Sequence, residues 1–343
     1  MTPKASRGRD PEKNMKLRTA RAFLPLALAF LVAPLAADAQ QVGKTYRIGV
    51  LASGPVSPTS PFVAIFQQGL ADLGYVEGRN LTIEWRHAGG KAERYDDLAT
   101  ELVGLKVDVI LAPNPAAVFA AKRATTTIPI VMVHTPDPVQ LGLVASLAHP
   151  GGNITGTTSL SAELSTKQLQ LLKEAVPRAS RIAVLWNPTN PWHPLALKGA
   201  EAAAQSLGVQ LQLSQVRGPE EFDGAFAALK SARVGAVLVL ADPLAFVHRT
   251  RLADLAAKHR LPAMYGVRDH VDAGGLMSYW ADAHELYRNA AWYIDRILKG
   301  AKPADLPIQQ PKRYEFVINM KTAKALGLTI PPSVMIRADQ VIQ

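Results

Sequence analysis

The sequence predicts an α/β protein with two doubly wound lobes, each a parallel β-sheet with helices on both faces. Two observations carry this prediction. Short apolar segments alternate with amphipathic segments of helical period along the chain from residue 46, which is the pattern of parallel βα units. The order of these segments in the first half then recurs in the second half. We therefore expect two structurally similar lobes.

The elements predicted in the first half alternate regularly. Apolar residues at helical spacing, among them Phe62, Phe66 and Leu70, indicate the first helix, and Gly74 ends it. The predicted strands are 46–51, 81–85, 107–111 and 128–133, and the predicted helices are 62–73, 92–105, 116–125 and a short 139–147. The strands are short and mostly apolar, as expected for a buried parallel sheet.

The segment 150–157, Pro-Gly-Gly-Asn-Ile-Thr-Gly-Thr, marks the first passage between the lobes. Its glycine and turn-forming residues indicate a strand flanked by flexible joints rather than a helix. A chain that closes two lobes over a bound molecule needs backbone freedom at such a point.

The second half repeats the order of the first through five pairs of similar segments. The pairs are 47–51 with 181–185, 73–74 with 207–208, 107–113 with 236–243, 128–129 with 261–262, and 151–155 with 274–278. One such pair is easily a coincidence, but five in the same order indicate two related lobes. The repeat is too long for a solenoid.

The composition fits this architecture and narrows the chemistry. The chain has 343 residues, of which 48% are hydrophobic and 19% charged, as in ordinary globular proteins of two domains. It contains no cysteine, which excludes disulfides, iron–sulfur clusters and a thiolate nucleophile. The net charge is +10, but the basic residues after residue 39 are scattered. We therefore expect no nucleic-acid partner.

Residues 1–39 are typical of a cleavable signal peptide. A basic stretch at 16–21 precedes an apolar run at 22–35, and residues 37–39 form a small-x-small cleavage pattern. We therefore expect export and a mature chain that starts near Gln40. An N-terminal membrane anchor is the alternative, although the apolar run is short for a membrane span and contains two prolines.

Polar and aromatic residues follow the predicted strands, where open parallel sheets bind ligands. The first half offers Ser53, Asn114, His134, Thr135 and Asp137, and the second offers Asn187, Asn190, Trp192, Asp242, Tyr265 and Tyr279. If the lobes face each other, these groups line one cleft suited to a small polar or zwitterionic molecule. Asp137 or Asp242 can pair with a ligand ammonium, while N–H groups at helix starts can take a carboxylate.

Each of these candidates also has a purely structural interpretation. Asn and Asp after a strand commonly cap a helix or form a turn. Four candidates fall in this group: Asn114, Asn187, Asn190 and Asp242. His134 is compatible with a loop role, and Tyr265 and Tyr279 with the core. Trp192 follows a strand in a proline-rich loop, so we expect it to be partly exposed.

Recognisable catalytic motifs are missing from the sequence. It has no G-x-S-x-G elbow, no H-E-x-x-H, no Walker A loop and no G-x-G-x-x-G after a strand. His134 and Asp137 have no third candidate metal ligand nearby in sequence. We therefore expect a binding protein with no catalytic residues, no cofactor and no metal.

Four segments resemble the bacterial ABC-transporter substrate-binding proteins, in the group that includes tryptophan- and tyrosine-binding members. They are 66–80, 150–156, 273–279 and 318–328, in family order across the whole mature region. The resemblance implies a type I periplasmic binding fold, with two α/β lobes joined by three hinge crossovers. By this analogy helix 285–298 returns to the first lobe, 302–311 crosses back, and 314–319 is a strand of the second.

The resemblance also implies a domain division, a location and partners. The first lobe is expected at 44–156 plus 281–310, and the second at 157–280 plus 311–343. The protein is expected to be a periplasmic monomer that captures a small solute and delivers it to an inner-membrane permease with its ATPase. The expected ligand is an aromatic or other hydrophobic amino acid, or an aromatic carboxylate.

The sequence departs from the usual family pattern at two places. Trp280 follows Ser278-Tyr279 where the family often has glycine, and Asp269-His270 lies near a frequent glutamate-phenylalanine pair. Both departures are expected close to the cleft.

Three other functions remain open at this stage. One is a periplasmic sensory module that feeds a receptor, which the sequence does not separate from transport. Another is a hydrolase on the same scaffold, which the missing nucleophile motifs disfavour. The third is a sugar-repressor effector domain, which needs a DNA-reading helix-turn-helix where this chain has its export segment.

Overall fold

The computed structural model describes residues 1–2, 44–55, 61–159 and 161–343. The predicted signal peptide, residues 1–39, therefore lies almost entirely outside the described residues. Residues 45–343 form one compact unit. None of the helices in the described part of the chain is long and apolar enough to cross a membrane.

The first sheet is formed by the first five strands of the chain. These are β1 (Tyr46–Ala52), β2 (Leu81–His87), β3 (Val109–Ala112), β4 (Ile130–Pro136) and β5 (Ile154–Ser159). All neighbours are parallel, in the order β2-β1-β3-β4-β5. The helices between them are α1 (Pro61–Asp72), α2 (Tyr95–Gly104) and α3 (Pro115–Ala124), with a 3-10 turn at Ala92–Arg94.

The second sheet has seven strands from the rest of the chain. These are β6 (Arg181–Trp186), β7 (Gln210–Gln215), β8 (Ala236–Val239), β9 (Ala263–Tyr265), β10 (Met277–Ala281), β11 (Tyr314–Asn319) and β12 (Gln340–Ile342). Their order is β12-β11-β10-β9-β8-β6-β7. The expectation of purely parallel sheets is wrong for β11, which pairs antiparallel with β10 because the chain enters it from the opposite end.

Nine helices complete the described chain after β5. They are α4 (Ser161–Ala175), α5 (His193–Leu207), α6 (Phe222–Ser231), α7 (Pro243–Val247), α8 (Arg249–Lys258), α9 (Asp269–Asp272), α10 (Ala283–Leu298), α11 (Met320–Leu326) and α12 (Pro332–Met335). Short 3-10 turns lie at Pro219–Glu221 and Pro303–Asp305. Helices cover both sheets. One buried apolar cluster contains residues of both sheets, and two further clusters each belong to one sheet and its helices.

The chain passes between the two sheets three times. After β5 it enters the second sheet, and after β10 helix α10 returns to pack against α1, β3, β4 and β5. The segment after α10 runs beside β5, where Gln309 N–H donates to the Gly156 carbonyl and Thr158 N–H donates to the Gln309 carbonyl. The chain then crosses back into β11. This confirms the predicted crossovers, while the exact lobe boundaries stay a prediction.

We call the first sheet with α1, α2, α3 and α10 the first lobe. The second sheet and its helices form the second lobe. Both lobes place a helix directly after their third strand, β3 or β8, and both helices begin at an Asx-Pro pair. Asn114 caps α3 by accepting from Ala117 N–H, and Asp242 caps α7 by accepting from Leu244 N–H. Proline at the first helical position has no N–H to leave unpaired.

The predicted short helix at 139–147 is wrong. The segment forms successive turns, in which Leu141 N–H donates to the Asp137 carbonyl and Leu143 N–H to the Pro138 carbonyl. Gly142 adopts a positive φ of 66° and Asp137 one of 42°. Asp137 lies just before the segment and Gly142 lies within it, so these left-handed residues prevent a continuous helix.

The glycine-rich passage is a strand, as predicted, and one of its glycines is required by packing. A Cβ on Gly156, whose φ is +130°, would lie 2.1 Å from the carbonyl oxygen of Met132. The register of β4 against β5 shifts between Met132 and Thr135. Within this irregular stretch His134 takes a φ of 51°, which sets the direction of its side chain.

Candidate functional site

A cavity of about 190 Å³ lies between the lobes, at the carboxyl ends of the strands of both sheets. Its lining from the first lobe includes Ser53, Phe62, Trp85, Asn114, His134 and Tyr287. Its lining from the second lobe includes Asn190, Trp192, Asp242, Phe246, His270 and Trp280. The two lobes therefore share one site, where open parallel sheets place their ligands.

Aromatic rings form much of the wall and meet across the cleft. Phe62 stacks on Tyr287 with ring centroids 5.4 Å apart and also lies 6.4 Å from the ring of Phe246 on the other lobe. Trp192 and Trp280 have ring centroids 6.3 Å apart. These rings provide flat apolar surfaces for a hydrophobic or aromatic group.

The polar groups of the first lobe form one small hydrogen-bonded cluster. The Asn114 side-chain N–H₂ donates to the Tyr95 hydroxyl at 2.8 Å and to Ser53 Oγ at 3.3 Å. The Tyr95 hydroxyl, itself an acceptor from Asn114, donates to Ser53 Oγ at 3.4 Å. Ser53 Oγ thus accepts twice, which leaves its own proton to be donated into the cavity.

The cluster stays uncharged near neutral pH. Burial raises the pKa of Tyr95 to about 12, its hydrogen bonds with Ser53 and Asn114 partly oppose the rise, and Asp242 on the facing lobe adds to it. The first lobe therefore presents hydrogen-bond donors without charge.

Asp242 is the centre of the second lobe's polar groups. One carboxylate oxygen accepts from Leu244 N–H at 2.8 Å, and the other accepts from the Asn190 side-chain N–H₂ at 2.8 Å. Asn187 lies at a longer 3.4 Å from both oxygens. Among the cavity-lining residues of the described chain, Asp242 is the acidic one and none is lysine or arginine. The site is therefore weakly anionic, with its charge on the second lobe.

His193 holds the Asp242 loop from behind. Its ring is fully buried, with Nδ1 2.9 Å from the Asn187 backbone N–H and Nε2 3.1 Å from the Ala241 carbonyl oxygen. Because Nδ1 accepts from the Asn187 N–H, the proton of the neutral ring lies on Nε2, which donates to the Ala241 carbonyl. Burial lowers the pKa of His193, although nearby Asp242 opposes this. A neutral His193 thus positions Asn187 and Asp242 together.

His134 and Trp280 join the lobes directly. The Trp280 indole N–H donates to His134 Nδ1 at 3.2 Å, and the His134 ring packs edge-on against Tyr287. His134 is half-buried in the cavity lining, and burial lowers the pKa of His134 to about 4. The neutral ring carries its proton on Nε2.

His270 packs deep in the second lobe's wall. Its ring stacks on Tyr265 at 4.8 Å, and burial lowers the pKa of His270 to about 4. Carbonyl groups of Val267 and Ala245 lie close enough to offset part of this effect. Neither ring nitrogen has a partner of hydrogen-bond geometry among the described residues.

Six of the eleven candidates from the sequence meet at the cavity. They are Ser53, Asn114, His134, Asn190, Trp192 and Asp242. Asn114 and Asp242 are also helix caps, so the structural and cavity roles coexist. The expectation that Trp192 is partly exposed is wrong. It is 4% exposed, since it packs against His193 and Trp280 at the base of the site.

The other five candidates lie away from the cavity lining. Thr135 is fully buried beside β5, and Asp137 lies in the turn that follows β4. Asn187 lies behind Asp242, with its amide oxygen accepting from the Thr189 N–H and hydroxyl. Tyr265 is fully buried. Tyr279 stacks on Tyr314 in a separate surface groove.

Several residues that line or support the cavity were not among the candidates from the sequence. Tyr95, Phe62, Phe246 and Tyr287 all lie on helices, where an aromatic residue usually indicates core packing. His193 also escaped notice. Trp280 and His270 were singled out only as departures from a family pattern, both expected close to the cleft. No group of three or more potential metal ligands occurs among the described residues.

The fold and the site together define a two-lobed ligand-binding protein. A family model described as ABC transporter substrate binding protein matches residues 59–342. The match spans most of the chain, so the protein belongs to the family of ABC transporter substrate-binding proteins.

Individual proteins agree with this assignment. The chain is 28% identical over 264 residues to the tyrosine-binding protein of Clostridioides difficile (strain R20291), covering 77% of this chain and 75% of the relative. An ABC domain from Streptococcus pneumonia in complex with L-Trp is similar at 28% identity and a TM-score of 0.80. A conserved domain protein from Vibrio cholerae is similar at 27% identity and a TM-score of 0.80. Both matches cover 87% of this chain and 100% of the matched structure. The expected fold class is confirmed.

Proposed function

We propose that the protein is the periplasmic solute-binding component of an ABC importer, and that its ligand is an aromatic or other hydrophobic α-amino acid. The observation that carries this proposal is the division of polar groups across the cavity. The first lobe offers uncharged donors, the second offers one carboxylate, and aromatic rings lie between them. A zwitterion with a ring side chain matches all three features.

The polar groups set the orientation of such a ligand. Its ammonium pairs with Asp242, whose two oxygens are already held in place by Leu244 N–H and Asn190. Its carboxylate accepts from the Ser53 hydroxyl and from the Ala116 N–H at the start of α3, since Pro115 has no N–H and the Ala117 N–H is used by the Asn114 cap. The ligand thereby bridges both lobes.

The ligand side chain occupies the space between the aromatic walls. Phe62 and Tyr287 stack on one side, and Trp192 and Trp280 lie on the other. The cavity of about 190 Å³ suits one amino-acid-sized molecule. The names of the tyrosine-binding relative and of the L-Trp complex support an aromatic amino acid.

Closure follows from this bridging arrangement. Contacts from both lobes to one ligand exist only when the lobes are together, so the ligand shifts the population toward the closed form. In the proposed function the protein acts as a monomer. In its closed form it delivers the unmodified ligand to an inner-membrane permease with its ATPase. Release of unaltered ligand after binding, checked by mass spectrometry, tests the absence of turnover.

Isothermal titration of residues 40–343 tests the ligand class. We expect binding of L-tyrosine, L-tryptophan or L-phenylalanine, and losses of 10-fold or more for analogues without the ammonium or without the carboxylate. Asp242→Asn keeps a good helix cap but loses the charge, so affinity should fall by about 10- to 100-fold.

Asp254→Asn is the matched control, because Asp254 is exposed on α8 of the same lobe. Its affinity should equal that of the wild type. Equal affinity of Asp242→Asn and Asp254→Asn, or binding of the analogue without an ammonium as tightly as the amino acid, would contradict the proposal. Ligand uptake by vesicles that contain the permease and ATPase separates transport from sensing.

A further inference from the structure

Two contacts between the lobes lie well apart in the described chain, and they differ in polarity. Near α7 the contact is apolar: a Cβ on Gly54 would lie 3.1 Å from Val247, and one on Gly90 would lie 3.3 Å from the Leu244 Cα. At the other place the Trp280 indole N–H donates to His134 Nδ1 at 3.2 Å. This bond uses no ligand atom.

We propose that the Trp280–His134 hydrogen bond is a latch that holds the lobes together independently of ligand and opens when His134 is protonated. Trp280 is thus a positioning residue. The inference rests on the proposed closure of two lobes.

The geometry explains why the latch needs neutral histidine. His134 Nδ1 must keep its lone pair to accept from the indole, so the proton sits on Nε2. Protonation places a second N–H at Nδ1, facing the indole N–H, and the bond is lost. Trp280 has no alternative role as an acceptor, because the indole nitrogen only donates.

The surroundings of His134 add nothing that stabilises its charged form. Its backbone stays within β4, and Tyr287 packs edge-on against the ring. The other titratable groups near or facing this side of the cavity are Asp242, His270 and, beyond Tyr287, Asp269. Burial lowers the pKa of His134 to about 4 in this closed arrangement. An open cleft returns the ring to water and its pKa toward the ordinary value of about 6.5.

The sign of the pH effect follows from this difference. Above the ordinary histidine pKa both forms are neutral and the latch contributes fully. As the pH falls from about 6.5 toward about 4, the open form takes up a proton that the closed form refuses, so closure weakens.

Distance measurements between spin labels test the latch without any ligand. The chain has no native cysteine, so Thr100→Cys on α2 and Ala257→Cys on α8 place one label on each lobe. At pH near 7.5, Trp280→Phe should lower the closed-to-open ratio about fivefold, the effect of one net hydrogen bond. Trp292→Phe, on the outer part of α10 beside Arg296, is the matched control and should leave the ratio unchanged.

The variant His134→Asn tests whether protonation of His134 opens the latch. Asparagine tolerates the φ of 51° and places an amide oxygen near the position of Nδ1, but it takes up no proton. Its closed-to-open ratio should resemble that of the wild type at pH near 7.5. Lowering the pH to about 5 should reduce the wild-type ratio by roughly tenfold or more and leave the His134→Asn ratio unchanged.

Equal ratios for the wild type and Trp280→Phe would overturn the proposal, as would a pH response shared by His134→Asn. Both measurements are made without ligand. Failure to bind an aromatic amino acid therefore leaves the latch intact, and failure of the latch leaves the ligand proposal intact.

Discussion

Asn114 and Asp242 occupy equivalent places in the two lobes but present opposite chemistry to the same cavity. Each follows the third strand of its lobe, caps the next helix and precedes a proline. The amide of Asn114 is tied to Tyr95 and Ser53, whereas the carboxylate of Asp242 is held by Asn190. The repeated architecture thus delivers two polar groups to one point, and a difference of one functional group makes the site dipolar.

The residues that support Asn114 and Asp242, Tyr95 and His193, also differ in the groups with which they form hydrogen bonds. Tyr95 supports Asn114 through a hydroxyl that both accepts and donates, which turns Ser53 into a donor. His193 supports the Asp242 loop through backbone atoms of Asn187 and Ala241 and makes no hydrogen bond to the carboxylate itself. The residues behind each wall, Tyr95 and His193, therefore decide which hydrogen-bonding groups that wall offers to a ligand.

Making the two walls alike should have the largest effect. Asn114→Asp retains a good helix cap but places a second carboxylate opposite Asp242, where a ligand carboxylate is expected. Repulsion in a desolvated cavity should reduce amino-acid affinity by about 100-fold or more, as measured by titration calorimetry. Asn289→Asp, partly exposed on α10, adds the same charge away from the cavity lining and should bind normally. Unchanged affinity for Asn114→Asp would contradict the assigned orientation.

Acid should destabilise the protein through one histidine in each wall of the cavity, His134 and His270. Burial lowers the pKa of His134 and of His270 to about 4, so each stays neutral when the unfolded chain becomes protonated. Stability is therefore complete above about pH 6.5 and falls as the pH drops toward 4. The loss at pH 5 should be about 2 kcal/mol for each histidine, measured by urea unfolding.

His270→Phe isolates the contribution of the second wall. It keeps the stacking on Tyr265 and removes two nitrogens without hydrogen-bond partners among the described residues. The free energy of unfolding should change less between pH 7.5 and 5 than in the wild type. The same pH slope in both proteins would show that His270 does not remain neutral.

The smallest expected effect comes from the support of the first wall. Tyr95→Phe removes the hydroxyl that accepts from Asn114 and donates to Ser53, and it should cost about 1 kcal/mol of stability. Ligand affinity should fall only a few-fold, because Ser53 and Asn114 remain. A loss as large as that of Asp242→Asn would mean that Tyr95 contacts the ligand itself.

Much of this arrangement could be predicted from the sequence, because strand ends fix where loop residues lie. Ser53, Asn114, Asn190 and Asp242 reach the cavity for this reason. The five repeated segments also located the strands that position them. Caps and turns at strand ends are local features, and local sequence specifies them well.

The errors come from features that local sequence does not specify. Side chains alternate along a strand, so in β10 Trp280 faces the cavity while its neighbour Tyr279 faces away. Tyr265 ends β9 and turns into the core. Phe62 of α1 and Tyr287 of α10 stack on each other and line the cavity from the first lobe, a placement that helical periodicity does not reveal.

The chain passes three times between the two lobes, which affects the order in which the lobes fold during synthesis. Helix α10 and the segment at 303–309 complete the packing of the first lobe, yet they emerge after nearly all of the second. A nascent chain that ends before residue 283 lacks the helix that covers β4 and β5. We therefore expect the first lobe to complete its packing only late in synthesis.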